Sequence, residues 1–149
     1  MIVLFNLNAY LGGGEVLLIR LAKKFKEENI KFCVIGYKGS YILEEAEKNG
    51  FNYIVWPSKN DSILYMNKSE KKEVIKFFKE KFIKYKELNI FTFCFRDIYN
   101  AHLAFSELTE TKIHFSTGIY HPNDTKYLSS YSLIKRKIIK KNKELLKNM

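Results

Sequence analysis

Five short apolar runs, each followed by a segment of helical period, set the strongest limit on what this chain can fold into. They are IVLFNL (2–7), KFCVIGY (31–37), NYIVWP (52–57), IFTFCF (90–95) and KIHFSTG (112–118). Continuous apolar runs are what strands covered on both faces require, because neither set of alternate side chains meets water. Strands that alternate with helices at this rhythm form a parallel sheet with helices on both faces. The expectation is an α/β fold in one domain spanning 1–149, a length that can bury a sizeable core.

The helical segments can be placed by their spacing and caps. From Gly13 to Asn29, Leu17, Leu18, Leu21 and Phe25 share a face, with Asn29 as the residue just past the end. Ser40 caps a short helix that carries Ile42, Leu43 and Ala46 inward and stops at Asn49-Gly50. A polar loop, SKNDSILYMNK, leads to Asn67, which stands three residues before Glu70 in a capping-box arrangement. The helix that follows is expected to run to about Leu88, burying Val74, Phe78, Phe82 and Tyr85. Asp97 is the expected cap of a helix through Leu108, with Ile98, Ala101, Phe105 and Leu108 inward, and the basic segment 131–149 reads as helical.

Charge and cysteines narrow the class. The chain holds 26 Lys plus Arg against 16 Asp plus Glu, a net +10, but only three of the cations are arginine. Arginine is the better side chain for bidentate phosphate or base-edge recognition. A lysine excess is a diffuse field that draws any polyanion, whether membrane surface, nucleic acid or sugar nucleotide. No RNP, KH or helix-turn-helix pattern supports nucleic acid as a partner. Cys33 and Cys94 fall inside apolar strand-like runs and are expected as buried free thiols, and no CxxC pair or metal-ligand cluster is visible. The N-terminal stretch MIVLFNL lacks the basic region of a signal peptide, and no apolar run reaches the ~18 residues of a membrane span. A cytoplasmic location is expected.

Gly12, Gly13 and Gly14 lie between the first strand and the first helix, where free backbone N–H groups and the helix dipole favour a phosphate. Glycine at such a place can serve a tight turn or a positive φ, or it can admit a ligand to bare backbone. The dinucleotide fingerprint fails here. A glycine would be needed at position 17, which is Leu17, and the second strand ends Gly36-Tyr37-Lys38 with no acidic residue. The P-loop pattern is absent as well.

A first strand, the loop Gly12-Gly13-Gly14-Glu15 (Gly13-Gly14-Glu15 in a strict alignment) and an immediate amphipathic helix resemble the N-terminal, acceptor-binding domain of family-4-type GT-B glycosyltransferases. Gly118-Ile119-Tyr120-His121-Pro122, at the tail of the fifth strand, is similar to a segment of bacterial capsule and lipopolysaccharide enzymes of this group. The resemblance covers essentially the whole chain. It implies a Rossmann-like domain forming half of a two-domain enzyme of hexosyltransferase type. In the complete enzyme the Gly12–Glu15 loop would face the donor phosphates and sugar, and loop 57–68, Arg96, Tyr120 and His121 would shape the acceptor side. Such enzymes usually need no metal or cofactor, the nucleotide sugar being a substrate.

The chain also departs from that family. The donor half is missing, since no two glutamates stand eight positions apart, and the last strand of the N-terminal domain lies beyond the end. The expectation is therefore a fragment or a split subunit, inactive alone, that needs a donor-binding domain and a glycan or lipid-linked acceptor. Where family members often carry a histidine beyond the fourth strand, this chain has Arg96-Asp97, and an arginine cannot exchange protons as histidine does. Lys135, Arg136, Lys137, Lys140 and Lys141 flank Ile138-Ile139 in a segment that can lie on an anionic bilayer or form a solvated lysine face. Two other functional readings stay open: a non-catalytic acceptor- or membrane-recruiting subunit, and an unrelated polyanion-binding module. His102 and His114 read as a boundary residue and a strand residue without a chemical role.

Overall fold

The computed structural model describes residues 1–117, apart from the side chains of Phe95 and of residues 115–117. The expected segment 131–149, with Lys135, Arg136, Lys137, Lys140 and Lys141, lies outside the described residues, as do Tyr120 and His121. Strands β1 (Ile2–Asn6), β2 (Phe32–Gly36), β3 (Tyr53–Val55), β4 (Glu87–Thr92) and β5 (Lys112–Thr117) alternate with helices α1 (Gly13–Glu27), α2 (Tyr41–Lys48), α3 (Lys68–Phe82) and α4 (Phe95–Ala104). All strand pairings are parallel, in the order β3-β2-β1-β4-β5. This is an α/β fold of Rossmann-like form. The order reverses between β1 and β4, so the loops leaving those two strands part there.

The period of two in the strands produces two cores. Val3, Phe5, Leu7, Cys33, Ile35, Leu88 and Ile90 pack with α3 and α4, through Val74, Phe78, Phe82, Ala101 and Ala104. Leu4, Phe32 and Val34 point the other way and pack with α1 and α2, through Leu18, Ile19, Ala22, Ile42, Leu43 and Ala46. Gly36 at the end of β2 lets α2 lie close. A Cβ there would sit 2.7 Å from Leu43 Cγ and 2.8 Å from Ile42 Cγ2. Gly36→Ala therefore overpacks this contact and is expected to cost about 1–3 kcal/mol, read as a lower unfolding midpoint. An unchanged midpoint would show that α2 is not held this tightly.

The five strands and four helices arise where the sequence places them, but several boundaries differ. Leu17, expected inward, is 43% exposed, because Ile19 and Ala22 take the inner positions of α1. Helix α3 ends at Phe82, not near Leu88, because Leu88 belongs to β4, where it is fully buried between neighbouring strands. Strand β4 then ends at Thr92 instead of residue 95: Thr92 Oγ1 accepts from the Cys94 N–H at 3.4 Å and turns the chain. In consequence Cys94, expected in a strand, is the half-buried N-cap of α4, and Asp97, expected as that cap, lies inside the first turn. Strand β3 is not doubly covered. It is a sheet edge with Tyr53 and Val55 exposed. The loop expected to be polar contains a 3-10 turn, Ile63–Tyr65, and buries Ile63 and Met66. Asn29 does adopt the left-handed conformation expected of it, at φ 56°.

Candidate functional site at the carboxyl edge of the sheet

The reversal of strand order between β1 and β4 sets the crevice position of an open parallel sheet, at the carboxyl edge where ligands usually bind. Its first wall is the stretch from Asn6 to Glu15. Asn6 Oδ1 accepts from the Asn8 N–H at 2.9 Å, closing a local turn. Asn6 Nδ2 and Asn8 Nδ2 both donate to Glu15 Oε1, at 2.7 and 3.2 Å. Glu15 is thus 4% exposed and its carboxylate braces the loop from within. Tyr10 and Leu11, between these anchors, are 81% and 59% exposed.

The three glycines are not there for unusual dihedrals. Gly12 is extended at φ −144°, ψ −177°, and among the described glycines only Gly39 and Gly50 have positive φ. Gly12 and Gly14 leave room for protein. A Cβ on Gly12 would lie 2.8 Å from Glu15 Oε2, and one on Gly14 would lie 3.2 Å from Phe93 Cβ. Gly13 is different, because nothing lies within 4 Å of a Cβ placed there. It is the first residue of α1, a position where any residue with ordinary φ fits. The N-cap, Gly12, has no side chain to offer, and the first helical bond runs from the Val16 N–H to Gly12 O at 3.2 Å. The N–H groups of Gly13, Gly14 and Glu15 therefore precede the hydrogen-bonded ladder, at the positive end of the helix dipole.

The second wall is the start of α4. Arg96 Nη1 donates to Asp61 Oδ2 at 2.6 Å, and Arg96 Nε lies 3.6 Å from Asp97 Oδ1. That separation is an ion pair and too long for a hydrogen bond, so both atoms are buried without one. Asp97 Oδ2 accepts from the Leu7 N–H at 3.2 Å, linking the first turn of α4 to the residue after β1. Burial pushes Asp97 up to about 7, against the pull of the Arg96 guanidinium and the Leu7 N–H, and the Glu15 charge adds to the rise. Asn100, fully buried one turn on, donates to Asp61 O at 2.9 Å and accepts from the Ile63 N–H at 3.0 Å. Burial also raises the Cys94 thiol, which keeps it from being a ready nucleophile.

The structure thus brings Gly12, Gly13, Gly14 and Glu15 to one wall of the crevice and Arg96 to the other. Arg96 is committed to Asp61 and Asp97. Four partners were not singled out from the sequence: Asn6, Asn8, Asp61 and Asn100. Asn6 and Asn8 leave a signal, since they are polar residues flanking Leu7 where an apolar strand ends. Asn100 and Asp61 leave none, because the contact between them spans 39 positions. His114 lies on β5, away from this edge, with Nε2 3.2 Å from Glu87 Oε1. Among the described residues no group of three His, Cys, Asp or Glu is arranged to hold a metal ion, and no helix is long and apolar enough to cross a membrane. No protein-family model, curated protein or solved structure matches this chain.

Proposed function

We propose that this chain is the acceptor-binding half of a GT-B glycosyltransferase of the family-4 type. The complete enzyme would move a sugar from a nucleotide donor to a glycan or lipid-linked acceptor, and the Gly13 and Gly14 amides would meet the donor phosphates. The observation that carries this reading is Gly13. It sits at an uncapped helix start, at the reversal point of a parallel sheet, with ordinary backbone and open space on its Cβ side. Neither turn geometry nor packing asks for glycine at that position, and a ligand that must approach the backbone does. The Glu15 carboxylate nearby limits the affinity for an anion, so the isolated chain should bind phosphate weakly and rely on a donor-binding domain for most of the hold.

Residues 118–149 carry eight Lys or Arg against two Asp or Glu, whereas 1–117 carry 18 against 14. More than half of the net charge therefore comes from residues 118–149. On the same reading the 131–149 segment, through Lys135, Arg136, Lys137, Lys140 and Lys141, would hold the enzyme against the anionic cytoplasmic face of a membrane that carries the acceptor.

Titrating the 149-residue chain with pyrophosphate, followed by amide NMR, tests the site. The Gly13 and Gly14 amides should move most. Movement confined to amides of the lysine-rich α3 would favour the polyanion module instead. Incubation of the same chain with nucleotide sugars and lipid or glycan acceptors should give no transfer, because it lacks groups to stabilise the departing diphosphate. Turnover by the purified chain would overturn the assignment as an acceptor half.

A further inference from the structure

We propose that Asp97 is a positioning residue that couples the glycine-rich loop to the 57–66 segment across the crevice between β1 and β4. The proposal takes from the functional reading only what the loop binds. The connection is continuous. Asp97 holds the Leu7 N–H, and Leu7 lies between Asn6 and Asn8, which hold Glu15 at the start of α1. On its other side Asp97 faces Arg96 Nε at 3.6 Å, and Arg96 holds the Asp61 carboxylate of the 57–66 segment. Asn100 fixes that segment through backbone groups alone, at Asp61 O and the Ile63 N–H.

Among the described residues, the titratable groups that act on Asp97 or on its Arg96 partner belong to this chain of contacts. Arg96 and Cys94 come from its own element, Asp61 from the facing segment, and Glu15 from α1. A charged Asp97 draws on both the Leu7 amide and the guanidinium. A neutral one leaves Arg96 to Asp61 alone and weakens its hold on Leu7. Because burial raises Asp97 toward neutrality, both states are populated at ordinary pH. The loop and the segment should then shift together as it titrates. Asp97 is fully buried, so it acts through Leu7 and Arg96 and does not itself touch a ligand.

Amide NMR of the full chain through the neutral pH range tests this without any ligand. The Leu7, Gly13, Gly14 and Ile63 amides should titrate with one shared midpoint, and Asp97→Asn should abolish that titration while keeping an acceptor for Leu7. Asp61→Asn removes a competing negative charge from Arg96 and should move the shared midpoint to lower pH. Glu15→Gln should leave a shared titration in place. Titration of Leu7 alone, with Gly13, Gly14 and Ile63 unmoved, would overturn the coupling. So would a shared midpoint that survives Asp97→Asn. Pyrophosphate serves as a separate arm. If the four amides titrate together but pyrophosphate shifts neither glycine, the coupling stands and the ligand reading fails. If pyrophosphate shifts both glycines with no shared titration, the ligand reading stands and the coupling fails.

Discussion

Replacing Phe78 with alanine is expected to destabilise the domain by about 3–5 kcal/mol, a large share of the ~5–15 kcal/mol that holds a typical fold. Phe78 is fully buried. Its ring centroid lies 5.5 Å from that of Trp56, 5.3 Å from Phe77, 6.2 Å from Phe82 and 5.2 Å from Phe105. Truncation removes its transfer free energy and leaves a space that these four rings and the sheet cannot fill without moving. The loss also bears on the site. Phe105 follows the last residue of α4, and Trp56 leads into the 57–66 segment, so both parts that meet at Arg96 are anchored on this ring. Chemical unfolding checks it; a cost below ~1 kcal/mol would mean that the neighbours repack freely.

Asp97→Asn is expected to stabilise the domain above pH 7. The folded state holds the Asp97 proton up to about 7, whereas the unfolded chain releases it near 3.8. Between those values the folded form binds the extra proton, so stability drains away as pH rises through the window and the loss is complete above it. At ~1.36 kcal/mol per unit, the loss is on the order of 2–4 kcal/mol, the lower figure applying if Arg96 draws closer. Asparagine still accepts from Leu7 but carries no charge to bury. The variant should match the native chain at the acid end and exceed it at the alkaline end. Lower stability of the variant at pH 8 would show that the ion pair with Arg96 outweighs desolvation.

The fold was legible because its strands are uninterrupted apolar runs and its helices show clear period and caps. Asn67, for instance, does accept from the Glu70 N–H, at 2.9 Å. What misled was local. Leu17 lies one position off the inner stripe of α1, and its neighbours Leu18 and Ile19 carry the burial. Leu88 suits a helix or a strand equally, and pairing with β1 and β5 decided for the strand. Asp97 looks like a cap because it is acidic at the head of a helix, yet Cys94 takes that place after a turn made by Thr92. The position of the glycine loop followed from its place after the first strand. Glu15 kept its place in that loop but turned inward to Asn6 and Asn8, a contact that depends on how the loop folds back. The Arg96–Asp61 pair spans 35 positions and needs the 3-10 turn at Ile63, which no spacing rule supplies.

Gly13→Ala tests the central claim, that this loop is built to admit a ligand to bare backbone. The unfolding midpoint and the response of the Gly14 amide to pyrophosphate would be measured on the same variant. Ordinary φ and open space mean that alanine should leave stability unchanged or raise it by about 0.4–1 kcal/mol. Its methyl group should obstruct the approach to the helix start and abolish the pyrophosphate response. Gly14→Ala, pressed against Phe93, is the control expected to lose stability. The account is contradicted if Gly13→Ala keeps the full response, or if it loses stability and response in proportion.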